Sequence, residues 1–287
     1  MKTNTRLTIL TVLLCGLSVS RADLTIPGDG SDGDFHPTAS VEVDLSQAVS
    51  GNWNDAQLPA NAGKGIYDRN KWAVVFKYQS VTIPAGVTVT FKNHASRAPV
   101  VWLVQGNVTI IGPGTAAGAA PALNLNGTDG AAGDNARFLA EPGPGGFRGS
   151  AFTSNDGPGL GVGGGGINVS GVYLGTYGNP RLIPLIGGSG GGNYGPAKSG
   201  GAGGGAIHIC CAGTINLTGK ISANGGRSSS YGSGGAVRLV ANSINGTGRV
   251  EAIGFSAAAP LSKSSNSVSR GILRYSAFAR RLMPGVE

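Results

Sequence analysis

"GGGAIHICCAGTINLTGKISANGG", residues 203–226, and "GGAVRLVANSINGTGRVEAIG", residues 234–254, are one unit written twice. With Gly219 set on Gly248, Ile215 falls on Ile244, Ile221 on Val250 and Ala223 on Ala252, an offset of 29 residues. Ala206 falls on Ala236 at an offset of 30, so the first copy carries one extra residue, placed around Cys210 and Cys211 and read as a β-bulge. An earlier relative is "VVWLVQGNVTIIG", residues 100–112, in which Gly106 and Gly112 keep the spacing of Gly213 and Gly219. Repeats of this length imply stacked units that bury their apolar faces only against their neighbours.

The units are made of strands. Ile207 and Ile209, Ile215 and Leu217, then Ile221 and Ala223 alternate with other residues, the period-2 pattern of half-buried strands, and no helical recurrence persists between Pro99 and Ile253. Three short strands per unit, broken by Gly, Asn and Thr, describe one turn of a parallel β-helix. The expected fold is therefore all-β: a right-handed parallel β-helix, or solenoid, with Gly-rich loop excursions and capped ends. Open ends of such a stack are edge strands and need covering.

Four regions follow in order. Residues 1–22 read as a signal peptide, with Lys2 and Arg6 before the short apolar run "LTILTVLLCGL" and small residues at Ser20 and Ala22 for cleavage. The chain is thus expected to be secreted or at the cell surface, with no transmembrane span, since the apolar run is too short to cross a bilayer. Residues 23–98 form an amino-terminal β region and cap, in which "SVTIPAGVTVTFKN" turns at Pro84, Ala85 and Gly86, and Trp53, Tyr67, Trp72 and Phe76 supply bulk for the open end. Residues 99–254 hold the Gly-rich repeats. Residues 255–287 are a carboxyl-terminal cap or degenerate tail, in which "RGILRYSAFARRLMPG" fits either a helix or a last strand.

Between residues 142 and 205 there are 25 glycines in 64 residues. Such a stretch buries little side-chain surface and carries the largest backbone entropy cost on ordering, so flexible loops are expected, with extended polyglycine sheets as the other reading of the poly-Gly runs. Within it, Leu182, Ile183, Leu185 and Ile186 make an apolar cluster expected to dock on the repeats. "GVGGGG" lacks the Lys-Ser/Thr that would make it a phosphate loop.

The formal net charge is +8, or +5 once Lys2, Arg6 and Arg21 leave with the leader. Its distribution is uneven: residues 23–63 hold seven carboxylates and no Lys or Arg, whereas residues 181–287 hold eleven Lys or Arg and two acids. A basic half of this kind favours anionic partners. Lys220, Arg238 and Arg249 are the candidate binding residues, facing outward while Val237, Leu239 and Val250 face inward, with Lys220 stacked on Arg249 and Glu251 nearby. The partner expected there is an acidic polysaccharide or a cell-envelope component. No basic stripe with interleaved aromatics supports nucleic-acid binding.

Chemistry is sparse. Enzymes on β-helices work through clustered carboxylates or calcium beside a basic residue, and the repeat core from Ile207 to Ile253 carries one acid, Glu251. In "GDGSDGDFHP", Asp29, Asp32 and Asp34 are the candidate metal ligands, hard oxygens suited to calcium, although their spacing matches no EF-hand. No other cofactor is indicated. His36, His94 and His208 share no metal-ligand spacing, and adjacent Cys210 and Cys211 build no disulfide framework.

Taken together, "SVTIPAGVTVTFKN", "PVVWLVQGNVTI", "LIPLIGGSGGG" and the two repeats resemble a class of uncharacterised, glycine-rich secreted bacterial proteins expected to adopt a pectate-lyase-like right-handed β-helix. The resemblance spans about residues 28–254 and implies a fold; its motifs mark strands and turns, and no catalytic residue is assigned through it. Two function classes follow. The first is a secreted, non-catalytic scaffold used as a surface, matrix or adhesion element; the alternative is a polysaccharide lyase or glycoside hydrolase using acids brought together by loops, such as Asp129, Asp134 and Asp156.

Overall fold

The computed structural model describes residues 24–116, 118–131, 139–151, 157–163, 177–193, 199–228 and 230–254, and the backbone of 272–277. The expected signal peptide, Asp134 and Asp156, and the tail beyond Ala277 lie outside the described residues.

The chain is nearly all β, with two single-turn 3-10 helices, Leu45–Gln47 and Pro59–Asn61, among the described residues. The strands are β1 (Gly33–Phe35), β2 (Val41–Asp44), β3 (Val49–Ser50), β4 (Ile66–Asp68), β5 (Ala73–Ala85), β6 (Val89–Lys92) and β7 (Val100–Val104). They continue as β8 (Val108–Gly112), β9 (Leu123–Asn124), β10 (Ala206–Leu217), β11 (Lys220–Ser222), β12 (Ala236–Asn245), β13 (Arg249–Glu251) and β14 (Ile272–Ala277). One sheet runs β14-β12-β10-β7-β5-β4-β3, with β8 bridging β10 and β5; the other runs β13-β11-β9-β6-β2. Successive passages of the chain visit the two sheets in turn. Among the described residues every strand pairing is parallel except β4 with β5.

The register is the one the repeat implies. Ile215 pairs with Ile244, Ile221 with Val250 and Ala206 with Ala236, and the extra residue falls between Cys211 and Thr214, just beyond the cysteines. The first two of the three expected strands run together in β10 and β12, because the bulge bends the strand without ending its ladder. Parallel in-register pairing stacks like on like. Val74, Val100, Ile207 and Val237 form one internal row; Phe76, Trp102, Ile209 and Leu239 form the next. Val89, Leu123, Ile221 and Val250 face them from the second sheet.

Bulky rings fill the amino-terminal end of this core. Phe35 stacks on Tyr78 at 5.3 Å, Phe76 on Tyr78 at 5.5 Å, and Trp102 meets Tyr78 edge-on at 5.7 Å. Tyr67 and Trp72 pack against them half-buried, while Trp53 does not serve this end: it lies on the outer face of the first sheet. That outer face is apolar as well. Val75, Val101 and Leu103 are buried under Ile26 and Leu24 of an amino-terminal strap, held by Leu24 N–H on Asn242 Oδ1 at 2.9 Å and by the Gln105 amide on the Gly28 carbonyl. Burial on both faces explains the unbroken apolar run of β7.

The glycine-rich stretch is the main departure from expectation. Where described, it is neither loop nor sheet but a packed layer. The N–H groups of residues 200–205 donate in sequence to Ser150, Ser230, Thr128, Phe147, Ser233 and Leu125 carbonyls. Partners therefore recur every third residue: residues 200 and 203 bond one segment, 201 and 204 a second, 202 and 205 a third. Carbonyls return the pattern, Gly201 and Gly204 accepting from Gly191 and Gly188. Three residues per turn with no internal bonds is the geometry of an extended polyproline-II-like strand, here bonded sideways in several directions. None of these glycines has a positive φ. Space demands them: a Cβ on Gly200, Gly203 or Gly204 would lie 1.9, 1.8 or 2.0 Å from a neighbouring carbonyl oxygen. Leu182 docks this layer on Ala206 and Ala236 with Leu185 packed beside it, whereas Ile183 of the expected cluster is exposed. Backbone–backbone bonds in three directions satisfy all six N–H groups of residues 200–205 without side chains, which offsets the ordering cost of glycine.

At the carboxyl-terminal end the degenerate strand is the form observed: β14 pairs in register with β12.

Candidate functional site

The three acids of the amino-terminal loop sit near one another in sequence and serve different partners. Asp29 Oδ1 accepts from Ser31 N–H at 3.0 Å and its carboxylate lies 3.6 Å from buried Lys77 Nζ. Burial pushes its carboxyl up, but the Ser31 hydrogen bonds and Lys77 together hold it below the usual value. Asp32, 6% exposed, accepts from Lys77 N–H at 2.7 Å and Gly63 N–H at 2.8 Å, tying β5 to the preceding loop. Burial raises its carboxyl against those N–H groups. Asp34 accepts the Ser80 hydroxyl proton at 2.6 Å, and His36 Nε2 stands 2.9 Å from the same oxygen. Because Ser80 donates to Asp34, His36 is the donor to Ser80 and not its base. Among the described residues no group of three or more His, Cys, Asp or Glu side chains converges as a metal site.

The basic trio is divided. Lys220 and Arg249 are in register on β11 and β13, as the repeat implied, whereas Arg238 lies on β12 in the other sheet. Lys220 is only 8% exposed and its ammonium donates to the Ala119 carbonyl. Arg249 is open, its side chain 56% exposed, and pairs with Glu251 at 2.8 Å. Arg238 packs on His208: its Nη1 lies 3.2 Å from His208 Nε2, and His208 Nδ1 lies 3.3 Å from its carbonyl. The guanidinium can only donate, so Nε2 accepts and the His208 proton is on Nδ1. Burial, reinforced by Arg238, lowers its pKa to about 4. Cys210 and Cys211 are free thiols on opposite faces of β10, and burial pushes Cys211 up to about 11.

A cleft that sequence reasoning missed opens where the β6–β7 turn, the exit of β9 and residues 141–148 meet. Its volume is about 390 Å³. Glu141 is one of its lining residues, with Arg97 Nε at 3.4 Å on one oxygen and Arg148 Nη2 on the other. The Glu141 carbonyl is pinned by Thr128, whose N–H donates at 2.8 Å and whose hydroxyl donates at 3.0 Å. Arg97 has φ +52°, the left-handed region that ordinary side chains avoid. It is held there by its N–H on the His94 carbonyl and by Gly145 N–H on its own carbonyl. His94 packs against Tyr67 with ring centroids 4.1 Å apart, the rings tilted by 31°, and burial lowers its pKa. Since Ser96 N–H donates to His94 Nδ1, the neutral ring carries its proton on Nε2.

Two polar atoms at this cleft are buried with no partner among the described residues, Arg148 Nε and Asn93 Oδ1. Asn93 uses its amide on the Pro142 carbonyl at 2.8 Å. Asn126 Oδ1 is taken by Ser222 and Asn224, which leaves its NH2 end. The lining thus provides two guanidinia, one carboxylate and several amides, a set suited to holding a polar anion.

Comparison with family models, with curated proteins and with solved structures returns no match.

Proposed function

We propose that the chain is a secreted, right-handed parallel β-helix acting as a non-catalytic scaffold at a cell surface or in an extracellular matrix, where it holds an anionic glycan or envelope component. The observation that carries the reading is the glycine layer with its three-residue bonding period. Backbone packed on backbone along one flank of the sheets makes a stiff body, and stiffness over repeated strands about 4.8 Å apart suits contact with an extended polymer. Right-handedness rests on the general rule that parallel crossovers take that hand in about 98% of cases. The reading also draws on the resemblance of the repeat motifs to glycine-rich secreted bacterial proteins expected to be β-helices. Anionic partners are favoured by the basic half of the chain, eleven Lys or Arg against two acids from residue 181 onward. Arg249, the most open of the basic trio, is the strand position best placed to meet them.

The test is retention of the full chain on immobilised acidic and neutral polysaccharides at low and high salt. Retention on acidic polymers that falls as salt rises is expected, because exposed charges are screened over about 10 Å at 0.1 M. Equal retention on neutral polymers, or none on either, would contradict the glycan part of the reading.

A further inference from the structure

The β6–β7 turn is closed by an acceptor that a proton removes. His94 Nδ1 accepts from Ser96 N–H at 3.1 Å and from the Ser96 hydroxyl at 2.8 Å, and that hydroxyl in turn accepts Ala98 N–H at 3.3 Å. The ring nitrogen takes the place that an Asn or Asp oxygen holds in an Asx-turn, bonding the N–H two residues on. An imidazolium carries N–H on both nitrogens and accepts at neither. A proton on Nδ1 therefore sets two donors, the ring and Ser96 N–H, against each other. The hydroxyl can rotate to suit, and the backbone N–H cannot.

This turn fixes Arg97. Its N–H donates to the His94 carbonyl at 2.8 Å and its carbonyl accepts Gly145 N–H at 2.7 Å, which keeps the residue at φ +52° with Nε 3.4 Å from Glu141. A non-glycine residue stays in that conformation only where its surroundings over-determine it, so a turn that has lost the Ser96 bond relaxes out of it. The charges around His94 decide what moves. Tyr67 of β4 presents a ring face, which attracts a cation, so the charged ring stays on Tyr67 and the turn leaves it. Lys92 of β6 has the sign of an imidazolium and pairs with Asp44, while Glu141, the one carboxylate lining the cleft, is held by Arg97 and Arg148.

We infer that the β6–β7 turn is a pH-sensitive latch on the cleft: with His94 neutral the turn is closed and Arg97 is set against Glu141, and a proton on His94 Nδ1 opens the turn and releases Arg97. The inference goes beyond the scaffold reading and needs no glycan. Burial lowers the pKa of His94, so the fold favours the neutral ring. The closed form is complete above the ordinary value of 6.5 and is lost as pH falls below it.

Amide exchange of the full chain, followed by NMR from about pH 7.5 to about pH 4.5 with each rate divided by the intrinsic rate at that pH, tests the latch across the imidazole range. Protection of the Ser96, Arg97 and Gly145 N–H groups is expected to fall about tenfold, the worth of one hydrogen bond, while amides of the β7 ladder keep theirs. The midpoint should coincide with the titration of the His94 ring signals. His94→Asn supplies an oxygen acceptor that does not titrate, and its turn is expected to stay closed throughout. His94→Phe keeps a ring on Tyr67 without an acceptor, and its turn is expected to be open at every pH. His208 is present in both variants, so its own titration does not account for a difference between them. Constant protection across the His94 titration, a ring that stays neutral to the end of the range, or the same fall in His94→Asn overturns the latch. If His94→Phe fails to fold, the unaltered protein and His94→Asn still decide. Retention on polysaccharide is read separately, and its loss leaves the latch standing.

Discussion

Gly203 faces Gly188 so closely that a Cβ on Gly203 would stand 1.8 Å from the Gly188 carbonyl oxygen. No side chain accommodates that distance, and the obstacle is backbone, which cannot swing aside. Gly203→Ala is therefore expected to destabilise the chain by about 3 kcal/mol or to prevent folding, at or beyond the usual range for overpacking. Gly51 is the control, since its Cβ would meet Ile66 at an ordinary 3.4 Å with no positive φ. Chemical denaturation of Gly203→Ala and Gly51→Ala measures the difference; equal midpoints would mean that the layer is not packed as described.

The internal rows predict a sharp contrast between neighbours. Ile215 is fully buried and Asn216 is exposed, one step along the same strand. Ile215→Asp places an unpaired charge in the core at a cost of several kcal/mol, comparable to a domain's whole stability, and should unfold the chain. Asn216→Asp should leave the melting temperature nearly unchanged. Matching melting curves for the two variants would reverse the assignment of the faces.

His208 predicts a pH dependence of stability. Its folded pKa of about 4 lies below the ordinary 6.5, so between those values the unfolded chain binds the extra proton. Stability from this group is complete above about pH 6.5, falls as pH drops, and levels out below about pH 4. The loss is at most about 3 kcal/mol, from 1.36 kcal/mol for each unit. Thermal unfolding between pH 7 and pH 4 should show a smaller decline for His208→Gln than for the unaltered protein, and parallel declines would remove His208 as the cause.

The paired cysteines should be silent in the native state. Cys211 faces the core and donates to the Gly106 carbonyl, Cys210 lies in the apolar cluster with Leu24 and Ile26, and burial raises both thiols. Since the thiolate is the reactive form, an aromatic disulfide reagent at neutral pH should react slowly with folded protein and fully after denaturation. Rapid reaction of Cys210 in folded protein would mean that the amino-terminal strap does not cover the outer face, and rapid reaction of Cys211 that the core row is open.

The strand register was legible because side-chain alternation and the 29-residue offset both survive in Ile215, Ile244, Ile221 and Val250. The cover on the outer face left a weaker trace, the unbroken apolar run Val100–Val104, which signals burial on both sides but not by what. The glycine layer left none: its order lies in a three-residue hydrogen-bond period, and glycine has no side chain with which to write a period into sequence. The cleft was hidden for another reason. Asn93 and Arg97, Asn126, and Glu141 with Arg148 come from three separated stretches, the last at the start of the glycine-rich region, and only folding brings them together. Lys220 was correctly placed opposite Arg249, yet its burial depends on Ala119, which no repeat pattern connects to it.

The central claim is that the chain holds an acidic polysaccharide without cutting it. The most direct measurement incubates the full chain with such a polymer, with and without calcium, and follows both bound protein and newly formed chain ends. The account predicts salt-sensitive retention with no new reducing or unsaturated ends. Steady release of either kind of end, scaling with protein concentration, would contradict it and identify a polysaccharide-cleaving enzyme instead.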